Sequence, residues 1–273
     1  MKIFRPRNKI IIFILLAAIL LYSFLIEPFR LKIEQLSYEY TPNGQKITVV
    51  QFSDLHLRSC YDLTELAKII EAINAQNPDI VVFTGDLLDK AESYNNLEEI
   101  GPYLAKINAK YGKFAVWGNH DYGGGAEKYY ERILTDGGFR ILCNEKLSLN
   151  IDDKHTLELI GLDEMIFGKP DYALLSTPPS VPTILLSHEP DTVLNISTAN
   201  LPFLTLSGHS HGGQVRLPLI GSPIRNIYAK KYFYKDYTLT SEHFLYVNTG
   251  LGTTALPLRF GVAPSISVFS LTI

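Results

Sequence analysis

Five short polar stretches carry most of the chemically capable side chains of this 273-residue chain, and they share one form. Asp54-Leu55-His56 follows the apolar run 47–52, Gly85-Asp86 follows 80–84, and Gly118-Asn119-His120-Asp121 follows 114–117. His188 follows 181–187, and Gly208-His209-Ser210-His211-Gly212-Gly213 follows 203–207. Short apolar runs rich in β-branched residues read as buried strands. Polar side chains at the carboxyl ends of strands are poor core material and good site material. Of seven histidines, only His155 and His243 fall outside these stretches, a clustering not expected by chance.

The residue types are those of a metal centre. Asp54 and His56 are two apart, a spacing that turns both side chains to one side of an extended segment. His209 and His211 repeat that spacing among glycines that give the backbone room to approach. Asp86 and Asn119 add oxygen donors and His188 a nitrogen. Together these are too many ligands for one cation and well matched to two. With no thiolate among them, the set suits Mn²⁺, Fe or Zn²⁺ better than Ca²⁺ or Cu(I). Two divalent ions about 3.5–4 Å apart hold hydroxide at neutral pH and clamp phosphoryl oxygens through in-line attack. A structural metal site is the alternative, but such sites are usually closed and hold a single ion.

The elements that must position these groups alternate between strand and helix in the first half of the chain. Asp62 and Glu65 make a capping-box-like start, Leu66, Ile69, Ile70 and Ile73 supply an apolar helix face, and Asn77-Pro78 ends it. Residues 95–110 are helical in period with a break expected at Gly101-Pro102, and 126–135 is helical. Segments 146–151 and 156–161 read as a β-hairpin. Leu31, Ile33, Leu36 and Tyr38 alternate as an edge strand, and Pro42-Asn43-Gly44 turns it into the next strand, predicting a first hairpin. The economical architecture is a single α/β domain, residues 28–273, built on two sheets.

Before that domain, residues 1–27 read as a basic start and a membrane segment. Lys2, Arg5, Arg7 and Lys9 precede the apolar run 10–26, which sits at the lower length limit for a bilayer-spanning helix. Bulky residues after the run offer no small-x-small cleavage pattern, favouring an uncleaved anchor over a removed signal peptide or a buried soluble helix. The positive flank puts the N-terminus in the cytoplasm and the rest outside, at the cell membrane. Pro6 separates Arg5 from Arg7, so a twin-arginine signal is not supported. A net charge of -3 argues against charge-driven nucleic-acid binding. Cys60 and Cys143 are far apart and read as incidental thiols.

Other stretches carry weaker signals. Arg216, Arg225 and Arg259 are candidates to grip a phosphate, and Arg216 is favoured because it closely follows the metal histidines. Residues 228–237 interleave lysines with aromatic rings, which suits a nucleic-acid platform, an interfacial patch for acidic headgroups or a plain solvated loop. The apolar loop 217–221 is expected to form a lip that contacts acyl chains.

In their order, Asp-x-His, Gly-Asp, Gly-Asn-His-Asp, a lone His and Gly-His-x-His resemble the calcineurin-like metallophosphoesterase superfamily. Phe52-Ser53-Asp54-Leu55-His56, the sequence 208–218, Asn248-Thr249-Gly250-Leu251-Gly252 and Pro257-Leu258-Arg259-Phe260-Gly261 are similar to its membrane-anchored bacterial phosphodiesterase branch. Ser210 stands where Thr is commoner, at a position that is not a ligand. The resemblance implies a four-layer αββα sandwich of two mixed β-sheets flanked by helices. It implies that Asp54, His56 and His211 bind one metal, that Asn119, His188 and His209 bind the other, and that Asp86 bridges them with its two oxygens. His120 would stabilise developing charge or protonate the leaving oxygen, and Asp121 would orient His120. The expected activity is phosphodiester hydrolysis by metal-bridging hydroxide, near the membrane and tilted towards a lipid-linked diester or pyrophosphate, by a monomer. The alternatives are a membrane-anchored scaffold that keeps its metals without turnover, and a nuclease. The non-ligand His120 argues against the first, and the lack of room for a dimerising or DNA-binding extension argues against the second.

Overall fold

Strands that are apolar on both faces must be covered on both, and that requirement sets the layers of this molecule. The computed structural model describes residues 6–58, 61–123 and 125–273; Lys2, Arg5 and Cys60 lie outside the described residues. The N-terminal run folds as α1 (Pro6–Leu25), and over Asn8–Phe29 it is long and apolar enough to cross a membrane. The first half continues with β1 (Lys32–Glu39), β2 (Lys46–Phe52), α2 (Leu63–Asn74), β3 (Ile80–Phe83) and α3 (Leu97–Leu104). It closes with β4 (Gly112–Ala115), the one-turn α4 (Asn119–Tyr122), α5 (Glu127–Asp136) and β5 (Phe139–Ile141). Strands dominate thereafter: β6 (Glu145–Asn150), β7 (Thr156–Gly161), β8 (Thr183–Leu186), β9 (Leu204–Ser207), β10 (Lys235–Thr238), β11 (Phe244–Val247) and β12 (Ser265–Thr272).

These strands form two mixed six-stranded sheets, ordered β1-β12-β2-β3-β4-β5 and β10-β11-β9-β8-β7-β6. The pleat sends alternate side chains to opposite faces. Val49, Val82 and Phe114 of the first sheet therefore meet Leu186, Leu206 and Tyr246 of the second in a central core. Val50, Val81 and Phe83 point the other way, onto Leu66, Ile70 and Ile73 of α2 and Tyr130 and Ile133 of α5. The Asp62 side chain caps α2 as its sequence predicts, accepting from Thr64 N–H at 2.8 Å. The outer face of the second sheet packs Ile160, Leu185 and Leu245 on Leu175 and Val193, which belong to 3₁₀ turns. The sandwich thus has four layers, with the outermost on that side made of 3₁₀ turns.

Two local expectations are corrected. β1 and β2 do not pair as a hairpin; β12 inserts between them, parallel to β1 and antiparallel to β2. The physical reason lies in the side chains: β1 is mostly exposed and suits an edge, whereas β12 is buried along nearly its whole length and needs neighbours on both sides. The helix expected over 95–110 runs through Gly101-Pro102 without a break and stops at Leu104.

Candidate metal centre

β2, β3 and β4 of the first sheet and β8 and β9 of the second end at one rim, which brings all five polar stretches together. The backbone there is strained. Asp54, His56, Asp86, His209 and His211 all have positive φ, between 42° and 66°. Non-glycine residues in this left-handed region cost about 1–3 kcal/mol each and persist where surrounding contacts hold them. One such contact is the His209 N–H, which donates to both Asp54 carboxylate oxygens at 3.0 and 3.1 Å.

The donor atoms form two touching clusters. In one, His56 Nε2 and His211 Nε2 are 3.1 Å apart, with Asp54 Oδ1 3.5 Å from His211 Nε2. In the other, His188 Nε2, His209 Nδ1 and Asn119 Oδ1 lie 2.9–3.2 Å from one another. Asp86 Oδ2 is 3.3 Å from both His56 Nε2 and His188 Nε2, so one oxygen faces both clusters. The expected arrangement gives each metal one oxygen of this carboxylate; the second oxygen, Oδ1, accepts the His120 N–H at 2.8 Å. Carbonyls behind the rings set their orientation: His188 Nδ1 donates to Thr84 O at 2.6 Å and His209 Nε2 to Ile227 O at 2.8 Å. A ring nitrogen tied to a carbonyl turns the other nitrogen inward, a common arrangement of metal-binding histidine.

Burial and neighbouring charge set the protonation of the donors, and not all in one direction. Burial and then His188 pull His209 down to about 3. Burial, His56 and Arg259 hold His211 well below the ordinary imidazole range. Burial alone would raise the Asp86 carboxyl, yet His188 and His56 beside it hold it well below the usual range. Burial opposes a charge on His188, but Asp86 raises it well above the ordinary value. One proton on His188 can thus pair with Asp86, while His209 and His211 resist protonation. Around an ion with bonds of 2.0–2.2 Å, adjacent donors sit roughly 3–3.5 Å apart. The residues present therefore fit two divalent cations in spacing and in donor type.

His120 and Asp121 are placed differently from one another. His120 is half-buried at the pocket that Asp86, Asn119, His209 and His211 also line. Its ring meets that of His56 edge-on at 4.7 Å, and its Nδ1 is 3.4 Å from Asp89 O. Asp121 is corrected as an orienting group for His120. Its carboxylate accepts three backbone N–H groups, from Asp86, Leu87 and Gly118, at 2.7–2.9 Å, and so holds the Asp86 turn.

Arg216 is also corrected: it stacks on Tyr234, 3.9 Å from the ring centroid, and does not line the pocket. Arg259 lies closer to the donors, fully buried, with its guanidinium donating to the carbonyls of Thr249, Gly250 and Gly252 and 3.5 Å from His211 Nδ1. In 228–237, Phe233 is covered by Arg225 at 3.9 Å, as Tyr234 is by Arg216, leaving neither as a bare stacking platform. Loop 217–221 projects outward, with Leu219 wholly exposed. Sequence reasoning missed Asp89, whose Oδ1 is 3.9 Å from His56 Nδ1, and Asn226, which donates to His209 O at 2.6 Å. A carboxylate three residues after Asp86 was a usable signal; nothing local marks Asn226.

The sequence profile of the family described as calcineurin-like phosphoesterase matches residues 47–213. The chain is 40% identical over 256 residues to the uncharacterized metallophosphoesterase YkuE of Bacillus subtilis (strain 168), covering 92% of this chain and 88% of that one. It is 27% identical over 238 residues to the phosphodiesterase YaeI of Escherichia coli (strain K12), covering 85% and 84%. A transmembrane protein with metallophosphoesterase domain from Bos taurus is 25% identical over 278 residues, covering 96% of this chain and 61% of its own length.

Proposed function

This chain belongs to the calcineurin-like phosphoesterase family and is a metal-dependent phosphoester hydrolase, and from that premise we propose that it cleaves phosphodiesters at a membrane surface. The observation that carries the reading is Asp86 Oδ2, 3.3 Å from an imidazole of each donor cluster. Asp54, His56 and His211 would hold one divalent ion (Mn, Zn or Fe), Asn119, His188 and His209 a second, and Asp86 both. When bound, such a pair activates water at neutral pH and neutralises phosphoryl charge.

The chain's own residues do the rest. Thr84 O and Ile227 O fix the rings of His188 and His209. The two sheets bury Asp54, His56 and His211 from competing water. His120, half-exposed at the pocket and outside both clusters, protonates the leaving oxygen. The leaving alkoxide of a monoester or a diester takes that proton alike; the likeness to the phosphodiesterase YaeI is what favours a diester.

We read α1 as an uncleaved anchor, with the N-terminus cytoplasmic and residues 28–273 as the extracytoplasmic catalytic domain. The contacts between α1 and the domain support a fixed relation to the bilayer: Arg259 N–H donates to Ser23 O at 3.0 Å, and Glu27 is buried, accepting from Gly261 N–H at 3.0 Å. A substrate embedded in or linked to lipid would meet the site there.

The test is a substrate panel on the full chain in detergent, stripped with chelator and reloaded with Mn²⁺, Zn²⁺ or Fe²⁺. Diesters should turn over faster than monoesters and pyrophosphates, with two ions bound per chain. Preference for a monoester, or one bound ion without turnover, would overturn the reading.

A further inference from the structure

The loop after β11 lies between α1 and the metal centre. Its Arg259 side chain fastens the loop's own carbonyls, and its Arg259 and Gly261 N–H groups tie it to Ser23 and Glu27 at the end of α1. On one side of this loop Leu251 and Pro257 face Phe24, Pro28 and Phe29 across an apolar hollow of about 260 Å³. On the other side Ala255, Leu256 and Leu258 face Val215, Pro223 and Ile224 across a second hollow of about 300 Å³. The second hollow shares His211, Asn226 and Thr254 with the pocket that Asp86 and His120 line, so the two adjoin across these residues. Ile224 is 72% exposed and Leu256 59%, and beyond them stand Leu219 and Ile220, all without a covering partner among the described residues. Exposed apolar groups gathered at a ligand mouth mark a surface that meets something apolar.

A polar donor cluster joined to an apolar hollow suits a ligand with both characters. Resting on the phosphodiesterase reading above, we propose that the hollow between loop 254–258 and residues 223–224 seats an acyl chain of a lipid phosphodiester whose phosphoryl group lies over Asp86 and His120. The position of the loop supports a membrane source. Arg259 in it is hydrogen-bonded to Ser23 of the helix that is apolar enough to cross a bilayer, so the loop wall between that helix and the hollow is fixed to the helix end. Loop 217–221 is then the outer rim of the mouth and not its seat.

The experiment uses the full chain in phosphatidylcholine nanodiscs, reloaded with Mn²⁺, and a series of alkyl p-nitrophenyl phosphates from methyl to octyl. All members release the same leaving group, so chemistry is constant and only the tail varies. Each methylene that enters the hollow should raise kcat/KM by up to about fourfold until the space is filled. A rise of at least about tenfold from methyl to octyl is expected, and the paired substitution Ile224→Ser, Leu256→Ser should flatten it while leaving methyl-ester turnover intact. Both positions are exposed, which protects the fold. As a readout free of turnover, chelated protein is mixed with nanodiscs containing phosphatidylglycerol bearing a photoreactive group at its chain end. Cross-links within 215–224 and 254–258 support the proposal, and cross-links confined to α1 overturn it. A flat chain-length profile with brisk methyl-ester turnover overturns the tail site alone. Absence of turnover with every diester overturns the phosphodiesterase reading beneath it, and the tail site with it.

Discussion

The carboxylate of Asp121 lies against the turn that carries Asp86, accepting the Asp86 amide N–H at 2.7 Å. The same carboxylate takes the N–H groups of Leu87 and Gly118, so two strand-end loops are fastened by one side chain. An asparagine there would set an NH₂ against a backbone donor, leaving a buried group unpaired at a cost of about 1–3 kcal/mol. Asp121→Asn should therefore lower metal content and kcat together, by roughly 10–100-fold in metal affinity. Elemental analysis beside a pH–rate profile checks this. Full metal content with one limb of the profile displaced would instead tie Asp121 to His120.

Gly118 is constrained by the same turn. A Cβ at Gly118 would sit 2.3 Å from Asp86 Oδ1 and 2.5 Å from the Asp86 nitrogen. One at Gly208 would meet Ser53 Oγ at 2.0 Å and Asp54 Oδ2 at 2.5 Å. Gly118→Ala should displace the shared carboxylate and weaken metal binding by at least about tenfold, with far-ultraviolet circular dichroism unchanged. Calorimetric titration with Mn²⁺ decides it, and wild-type affinity would show that Asp86 is not the shared ligand.

His120 touches the site without entering either donor cluster. His120→Asn is expected to leave two ions bound and to reduce kcat by about 10²–10⁴, the usual range for a lost general acid. The loss should shrink for a diester with a good leaving group such as p-nitrophenolate, which needs less protonation. Equal losses across leaving groups would assign His120 to charge stabilisation instead.

Cys143 carries a reactivity prediction independent of the metals. Partial burial, and then the Asp163 carboxylate, push its thiol up to about 11. A raised thiol pKa keeps the protonated, unreactive form through neutral pH, because alkylation follows the thiolate. At pH 8, iodoacetamide should modify Cys143 about 100-fold more slowly than a free thiol of ordinary pKa near 8.5. The rate should climb about tenfold per pH unit towards pH 11. Measured in a Cys60→Ser variant, a plateau near pH 9 would refute the shift.

Much of the site was legible before any fold was known, because strand-end position is encoded locally: an apolar run, a glycine, then metal-binding side chains. The two-residue spacing of Asp54 and His56 does not, however, act through an extended segment. Neither residue is extended; both lie in the left-handed region, at φ 50° and 42°, as do His209 and His211. That conformation is unfavourable in isolation and is held by remote groups such as the His209 N–H on Asp54, which no short window of sequence contains. The arginine nearest the donors is set in a related way. Arg216 is nearer the histidines along the chain, whereas Arg259 reaches His211 through burial and carbonyl contacts that only the folded loop creates.

The amino-acid sequence alone determined which side chains could bind metal, that they follow strands, and that an apolar helix precedes them, since hydrophobic period and residue chemistry act over a few positions. The tertiary structure alone decided that β12 parts β1 from β2, that a single oxygen of Asp86 faces both clusters, and that the Arg259 loop links the α1 end to His211 of the donor set. Those features depend on contacts between residues up to more than 200 positions apart, such as Gly261 with Glu27, and they acquire an energy only when the chain closes around them.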